Sequence, residues 1–163
     1  MTLQTVRLKP NPSGKDRSRY GATAAQLGSE WADIKNVGSR PDDMVGVKLF
    51  HVAYSGAYDN GTWDEVINFT QGVLSVGQVV RVHSGSGPAS ALHPADRVGA
   101  DYHVFTGEHR YVWNNDRGDC AGIGRTASDL TDKTCYDPNP PEGDVLQRVG
   151  SKLVPTHAAA GRR

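Results

Sequence analysis

Chemistry in this 163-residue chain would have to come from two cysteines, a scatter of histidines, one glycine-lysine stretch and an Arg-Gly-Asp tripeptide. Neither Cys120 nor Cys135 belongs to a Cys-x-x-Cys pair, which argues against zinc. The segment "RTASD" falls midway between them, so if the flanking strands pair as a hairpin the two cysteines face each other. A disulfide and two buried thiols both remain open. His51, His83, His93, His103 and His109 lack His-x-x-x-His spacing, and no Gly-x-Ser-x-Gly elbow is present. Where they fall on strands, as His51, His83 and His103 do, they are expected to be hydrogen-bonded packing residues. "PNPSGKD" lacks the upstream glycine, the Ser or Thr after Lys15 and the following helix of a phosphate loop. Asn60-Gly61-Thr62 and Asn68-Phe69-Thr70 fit the glycosylation pattern but are read as a turn and a strand. No catalytic residue, cofactor or metal is therefore expected. Arg117-Gly118-Asp119 is either a displayed adhesion signal or the turn that feeds a strand, and the surrounding domain decides which.

That domain reads as all-β. "TVRL", "EWADIKNV", "MVGVKLFHVAYS", "EVINF", "QVVRVHS", "DYHVF", "CAGIG" and "TDKTCYD" alternate apolar and polar residues with a period of two, between Gly, Pro, Asn and Asp punctuation. In the second of these, Ala32, Ile34 and Asn36 share a face with Glu30, opposite Trp31, Asp33 and Lys35, the pattern of a half-buried strand. About seven or eight strands of this kind predict an antiparallel β-sandwich. "GATAAQLGSE" makes at most a turn or two of helix. The stretch "SGSGPASALHPADRVGA" is long and polar, which points to a ligand-facing loop or one ordered by a partner. Residues 1–137 form the expected domain. From 138 onward the prolines of "DPNPPEGD" should carry the chain away as an extended C-terminal arm.

Net charge is zero but unevenly placed. Arg7, Lys9, Lys15, Arg17 and Arg19 stand against Asp16 at one end, and Arg148, Lys152, Arg162 and Arg163 stand without an acid at the other. An acidic body lies between, so the basic ends are candidate arms for an acidic partner. Arg117, Arg148, Lys152, Arg162 and Arg163 are the candidate partner contacts. Nucleic acid is not expected, because the body repels phosphate and only Tyr20 accompanies the first basic run. No run approaches the ~20 apolar residues that span a bilayer, so membrane insertion is not expected. "MTLQTVRLKPNPSGKDRSR" lacks the apolar core of a signal peptide, which places the protein in the cytoplasm or a virion.

The succession "NPSGKD", "AAQLGSEWADIKNVGSRPDDMVGVKLF", "LSVGQVVRVHSGSG" and "YVWNNDRGDCAGI" resembles the bacterial and phage-type branch of the lamin tail domain family, over residues 5–137. Glu30-Trp31, Asn36-Val37-Gly38, Leu74-Ser75-Val76-Gly77, His83-Ser84-Gly85-Ser86-Gly87 and Trp113-Asn114-Asn115 with Gly118-Asp119 stand in the order of the family's motifs. Met44-Val45-Gly46 followed by Val47 departs from the usual Leu-x-Gly-Trp, and Asp116-Arg117 supplies one residue more than the usual turn. The resemblance implies an immunoglobulin-like sandwich without catalytic residues, used as an interaction module. It also implies that Trp113, Asn114, Asn115, Gly118 and Asp119 build a turn, with Arg117 at a variable position. The expected function is that of a structural protein, a multi-copy subunit of an assembly such as a phage virion, as a capsid decoration or minor structural protein. Its partners would be other protein subunits, including itself. The alternative is a stand-alone binding module for a protein or nucleic-acid ligand, in the cytosol or outside the cell.

Overall fold

The computed structural model describes residues 1–15, 21–56 and 58–156. Strands dominate: β1 is Leu3–Lys9, β2 Trp31–Asn36, β3 Asp42–Asp43, β4 Lys48–Ala53, β5 Thr62–Asn68, β6 Val73–Leu74, β7 Val79–His83, β8 Tyr102–Phe105, β9 Asp119–Gly124, β10 Leu130–Tyr136, β11 Leu146–Val149 and β12 Lys152–Pro155. Two short helices, α1 at Ala24–Gly28 and α2 at Pro94–Arg97, lie in the connections. Thr23 starts α1 with a capping box, its hydroxyl accepting from the Gln26 amide while the Gln26 side chain returns to the Thr23 amide.

Ten strands form one curled sheet in the order β5-β4-β9-β10-β12-β11-β1-β2-β7-β8, and β3 with β6 make a separate ribbon. Most pairs are antiparallel, but β7 with β8 and β10 with β12 are parallel. Curling brings Ile34, Val80 and Val82 of one end into a single apolar core with Leu49, Ala121 and Ile123 of the other, together with Leu8, Trp113, Leu146 and Leu153. Burial of this apolar surface is the main stabilising term, at about 25 cal/mol per Å² removed from water.

Two expectations need correction. The chain from 138 does not leave as an arm over its described length. After the proline-rich turn, β11 pairs with β1 and β12 pairs with both β11 and β10, which places them in the middle of the sheet. Leu146 and Leu153 are each only 1% exposed, and that apolar pair is what returns the segment to the core. The N-terminal segment is likewise not an arm over its described part, because β1 lies between β11 and β2.

The stretch 84–100, expected to face a ligand or to be ordered by a partner, is held by contacts within its own chain. It folds over the outer face of β2 and β7, held by Arg81, whose Nη1 donates to the carbonyls of Asp96 (3.1 Å) and Val98 (2.7 Å). Strand β2 is consequently buried on both faces rather than one. A belt of charge fills the covered face. Asp33 receives Arg81 through two bonds of 2.7 and 2.9 Å and lies 3.0 Å from Arg7 Nε. Arg81 stacks 3.6 Å above the Trp31 ring, and Asp96 accepts from Trp31 Nε1 and Lys9 Nζ.

Candidate functional site

Glu30 and Val37 stand just beyond the two ends of strand β2 and mark its two poles. At the Glu30 pole the chain from Trp113 to Asp119 must turn into β9 while β4 ends beside it, which leaves several backbone N–H groups without strand partners. Asp119 satisfies them. Its Oδ1 accepts from the amides of Val52 (2.7 Å) and Cys120 (2.8 Å), and its Oδ2 from the Asn114 amide (3.1 Å) and side chain (3.0 Å). His51 Nδ1 lies 2.9 Å from the same oxygen, and the His51 ring meets Trp113 edge-on at 5.9 Å. Gly118 has φ +71°, and a Cβ there would lie 2.4 Å from the Tyr136 carbonyl, so only glycine fits this turn. Tyr136, its phenol pushed well above its ordinary pKa by burial, donates to the Asn114 carbonyl at 2.7 Å.

The tripeptide question is thereby answered: the Asp119 carboxylate is buried and occupied, so Arg117-Gly118-Asp119 is a turn. Arg117 is not free either. Its guanidinium lies 3.7 Å above the Tyr54 ring and donates to the carbonyls of Gly56 and Asp59. Asp59 in turn holds the loop through bonds from the amides of Ser55 and Gly61, which lower its pKa.

Beside this turn is a second buried carboxylate. Glu30 is 0% exposed and accepts from the Ser84 hydroxyl and the amides of Val112 and Trp113. Lys15 Nζ pairs with it at 2.7 Å and also donates to the carbonyls of Pro10 and Trp113. The lysine of "PNPSGKD" is thus an internal fastener between the N-terminal segment and the Trp113 turn. Its isolated position after Gly14 gave no hint of this, since the partners lie far along the chain.

The basic ends grip acids of their own chain. Arg7 faces Asp33, Lys9 faces Asp96, Lys15 faces Glu30, Arg148 faces Asp132 and Lys152 faces Asp137. Arg148, a candidate partner contact, is the most committed: it holds Asp132 through two bonds of 2.9 Å and also donates to the carbonyls of Thr5 and Gly150. Arg162 and Arg163, like Arg17 and Arg19, lie outside the described residues. Cys120 and Cys135 stand opposite each other in β9 and β10 and form a disulfide, with Cα atoms 4.0 Å apart. On the same outer face Trp63 lies over Gly122, where a side chain would be 3.1 Å from its ring.

Among several surface cavities, two lie at the poles. One, of about 230 Å³, is lined by His51, Asp64, Glu65, Glu108 and Arg110 among others. His51 Nε2 points toward Asp64 at 3.6 Å, so each ring nitrogen faces a carboxylate and the ring is clamped. Among the described residues no group of three His, Cys, Asp or Glu side chains is arranged to hold a metal. The other cavity, of about 360 Å³, is at the Val37 pole, where Met44, Phe69, Val73 and Leu74 face Val80, Tyr102 and Val104. Val73 on its lining, and Val37, Val45 and Val76 in the turns that follow β2, β3 and β6, are each about half exposed. Asn36 ties this pole together, its side chain donating to the carbonyls of Arg40 and Leu74 and accepting from the Gly38 amide. No protein-family model and no curated protein matches the chain. Among the described residues, no helix is long and apolar enough to cross a membrane.

Proposed function

We propose that this protein is a non-catalytic structural and interaction domain of the immunoglobulin-like, lamin-tail type, a multi-copy subunit of a larger assembly such as a virion. The observation that carries this reading is the Val37 pole. A mostly apolar cavity with half-exposed Val73 on its lining opens there, and Val37, Val45 and Val76 in the turns that follow β2, β3 and β6 are also about half exposed, apolar surface that a partner could cover. The partner is a second copy or another protein subunit of the assembly. The charged side chains that could have supported catalysis at the opposite pole instead satisfy backbone groups, which favours binding over reaction. The Cys120–Cys135 bond favours an oxidising setting, and so a particle or the outside of the cell over the reducing cytosol.

Sedimentation velocity over a range of protein concentration tests the proposal. Association that grows with concentration is expected for the wild type, and loss of association with an unchanged melting temperature for Val45→Lys combined with Val73→Lys. A wild type that stays monomeric throughout removes self-association and leaves the stand-alone binding module, with a foreign protein on the valines.

A further inference from the structure

His83, fully buried on β7, is linked in series with His103 of β8. His83 Nδ1 lies 2.6 Å from the Gly28 carbonyl, His83 Nε2 lies 2.7 Å from His103 Nδ1, and His103 Nε2 lies 3.1 Å from the Arg97 carbonyl. The rings stack with centroids 5.0 Å apart, and Phe105 covers His83 at 5.1 Å. A carbonyl oxygen brings no proton, so each outer contact needs an N–H on the ring. The central nitrogen–nitrogen contact needs one more. Three contacts need three protons, whereas two neutral imidazoles bring only two.

We propose that His83 and His103 share three ring protons and one positive charge, forming a pH-sensitive latch that fastens the end of α2 to β8 and opens when the third proton leaves. The charged surroundings assign that proton. Burial drives the pKa of His83 down to about 4, against the pull of the Gly28 carbonyl and Asp96 and with the help of His103 and Arg81. Arg81 is itself neutralised by Asp33 of β2, Asp96 of α2 holds Lys9 of β1, and Glu30 lies beyond Ser84. The Arg97 guanidinium turns back to the Leu92 carbonyl. His83 therefore stays neutral with its proton on Nδ1, and His103 carries the charge, donating to His83 from Nδ1 and to Arg97 from Nε2.

Once His103 is neutral it has one N–H for two acceptors. The contact to Arg97 is the longer and the more exposed, so it is the one that yields. Residues 92–97 are closed into one unit by the Arg97 side chain, which donates to the Leu92 carbonyl. That unit carries Asp96, so its release loosens the cover over Trp31 and Arg81.

Long-range proton–nitrogen NMR of the imidazole rings in the unmodified protein tests this. On the acid side of the pair's titration, while the third proton is held, His103 is expected with both nitrogens protonated and His83 with Nδ1 alone. As His103 deprotonates, amide exchange over residues 94–101, corrected for its intrinsic pH dependence, should quicken roughly tenfold or more, as for loss of a charge-assisted hydrogen bond. Strands β9 and β10 should show no such change. In His103→Gln the same amides should exchange fast already at the lower pH. Two neutral rings throughout the pH range in which the protein stays folded, or exchange over 94–101 indifferent to loss of the third proton, would overturn the latch.

Discussion

The two poles of the molecule handle polar and apolar surface in opposite ways. At the Glu30 pole, buried carboxylates are surrounded by donors: Asp119 accepts five hydrogen bonds and Glu30 holds Lys15, Ser84 and two amides. At the Val37 pole the side chains of Asn36, Gln78 and Asp43 tie the turns, and valines are left half exposed. A buried carboxylate with every lone pair occupied fixes the backbone around it and has nothing left for a ligand. Exposed β-branched side chains order nothing locally, but they have surface to offer a partner. Saturated polar groups and exposed apolar side chains are thus found beyond opposite ends of β2.

The contrast can be broken or sharpened by experiment. Deleting residues 138–163 should abolish folding, because it takes β11 and β12 from between β10 and β1. A truncated protein with a wild-type circular dichroism spectrum and cooperative melting would show that the sheet closes without them. Asp119→Ala, which strands several buried donors at the ordered pole, should cost about 4 kcal/mol in urea denaturation. A loss of under about 1 kcal/mol would mean that the turn holds itself.

Acid supplies a third test. His83 binds its proton less readily folded, with a pKa of about 4, than unfolded, near its ordinary 6.5. Below about pH 6.5 the unfolded chain takes up a proton that the folded one refuses, so its contribution is complete above that pH and is lost as pH falls toward 4, about 3 kcal/mol in all. Denaturant midpoints measured along that range should fall more steeply for wild type than for His83→Gln. Parallel curves would show that His83 protonates freely in the fold. A smaller effect is expected from Arg117→Ala, about 1 kcal/mol, since it removes a ring stack and two carbonyl bonds at an exposed loop. At the valine pole, Val73→Ser should change stability by no more than about 0.5 kcal/mol. A cost of several kcal/mol there would make the valine part of the core.

Period-two alternation was enough to find the strands from β1 through β10 other than the two-residue β3 and β6, because each long strand shows one face to a shared core. The alternation also placed Ala32 and Ile34 inward, and the Gly-Asp turn was legible from the glycine that its positive φ demands. The site residues divided differently. Trp113, Asn114, Gly118 and Asp119 were recognisable as a set, whereas Glu30, Lys15 and His51, which complete the same pole, were not assigned there. Their partners lie up to 100 residues away for Lys15 and 83 for Glu30, and local pattern holds no record of such pairings.

What the sequence by itself determined was local: strand periodicity, turn chemistry, the opposition of Cys120 and Cys135 across a hairpin, and the uneven spread of charge. Only the tertiary structure decided that the basic ends meet the acids of their own chain, that the glycine- and serine-rich stretch becomes a cover for β2 and β7, and that the proline-rich segment leads back into the sheet. The physical reason is common to the three. Each depends on which long-range neighbour removes more charge or apolar surface from water, and that sum exists only once the strands have been brought together.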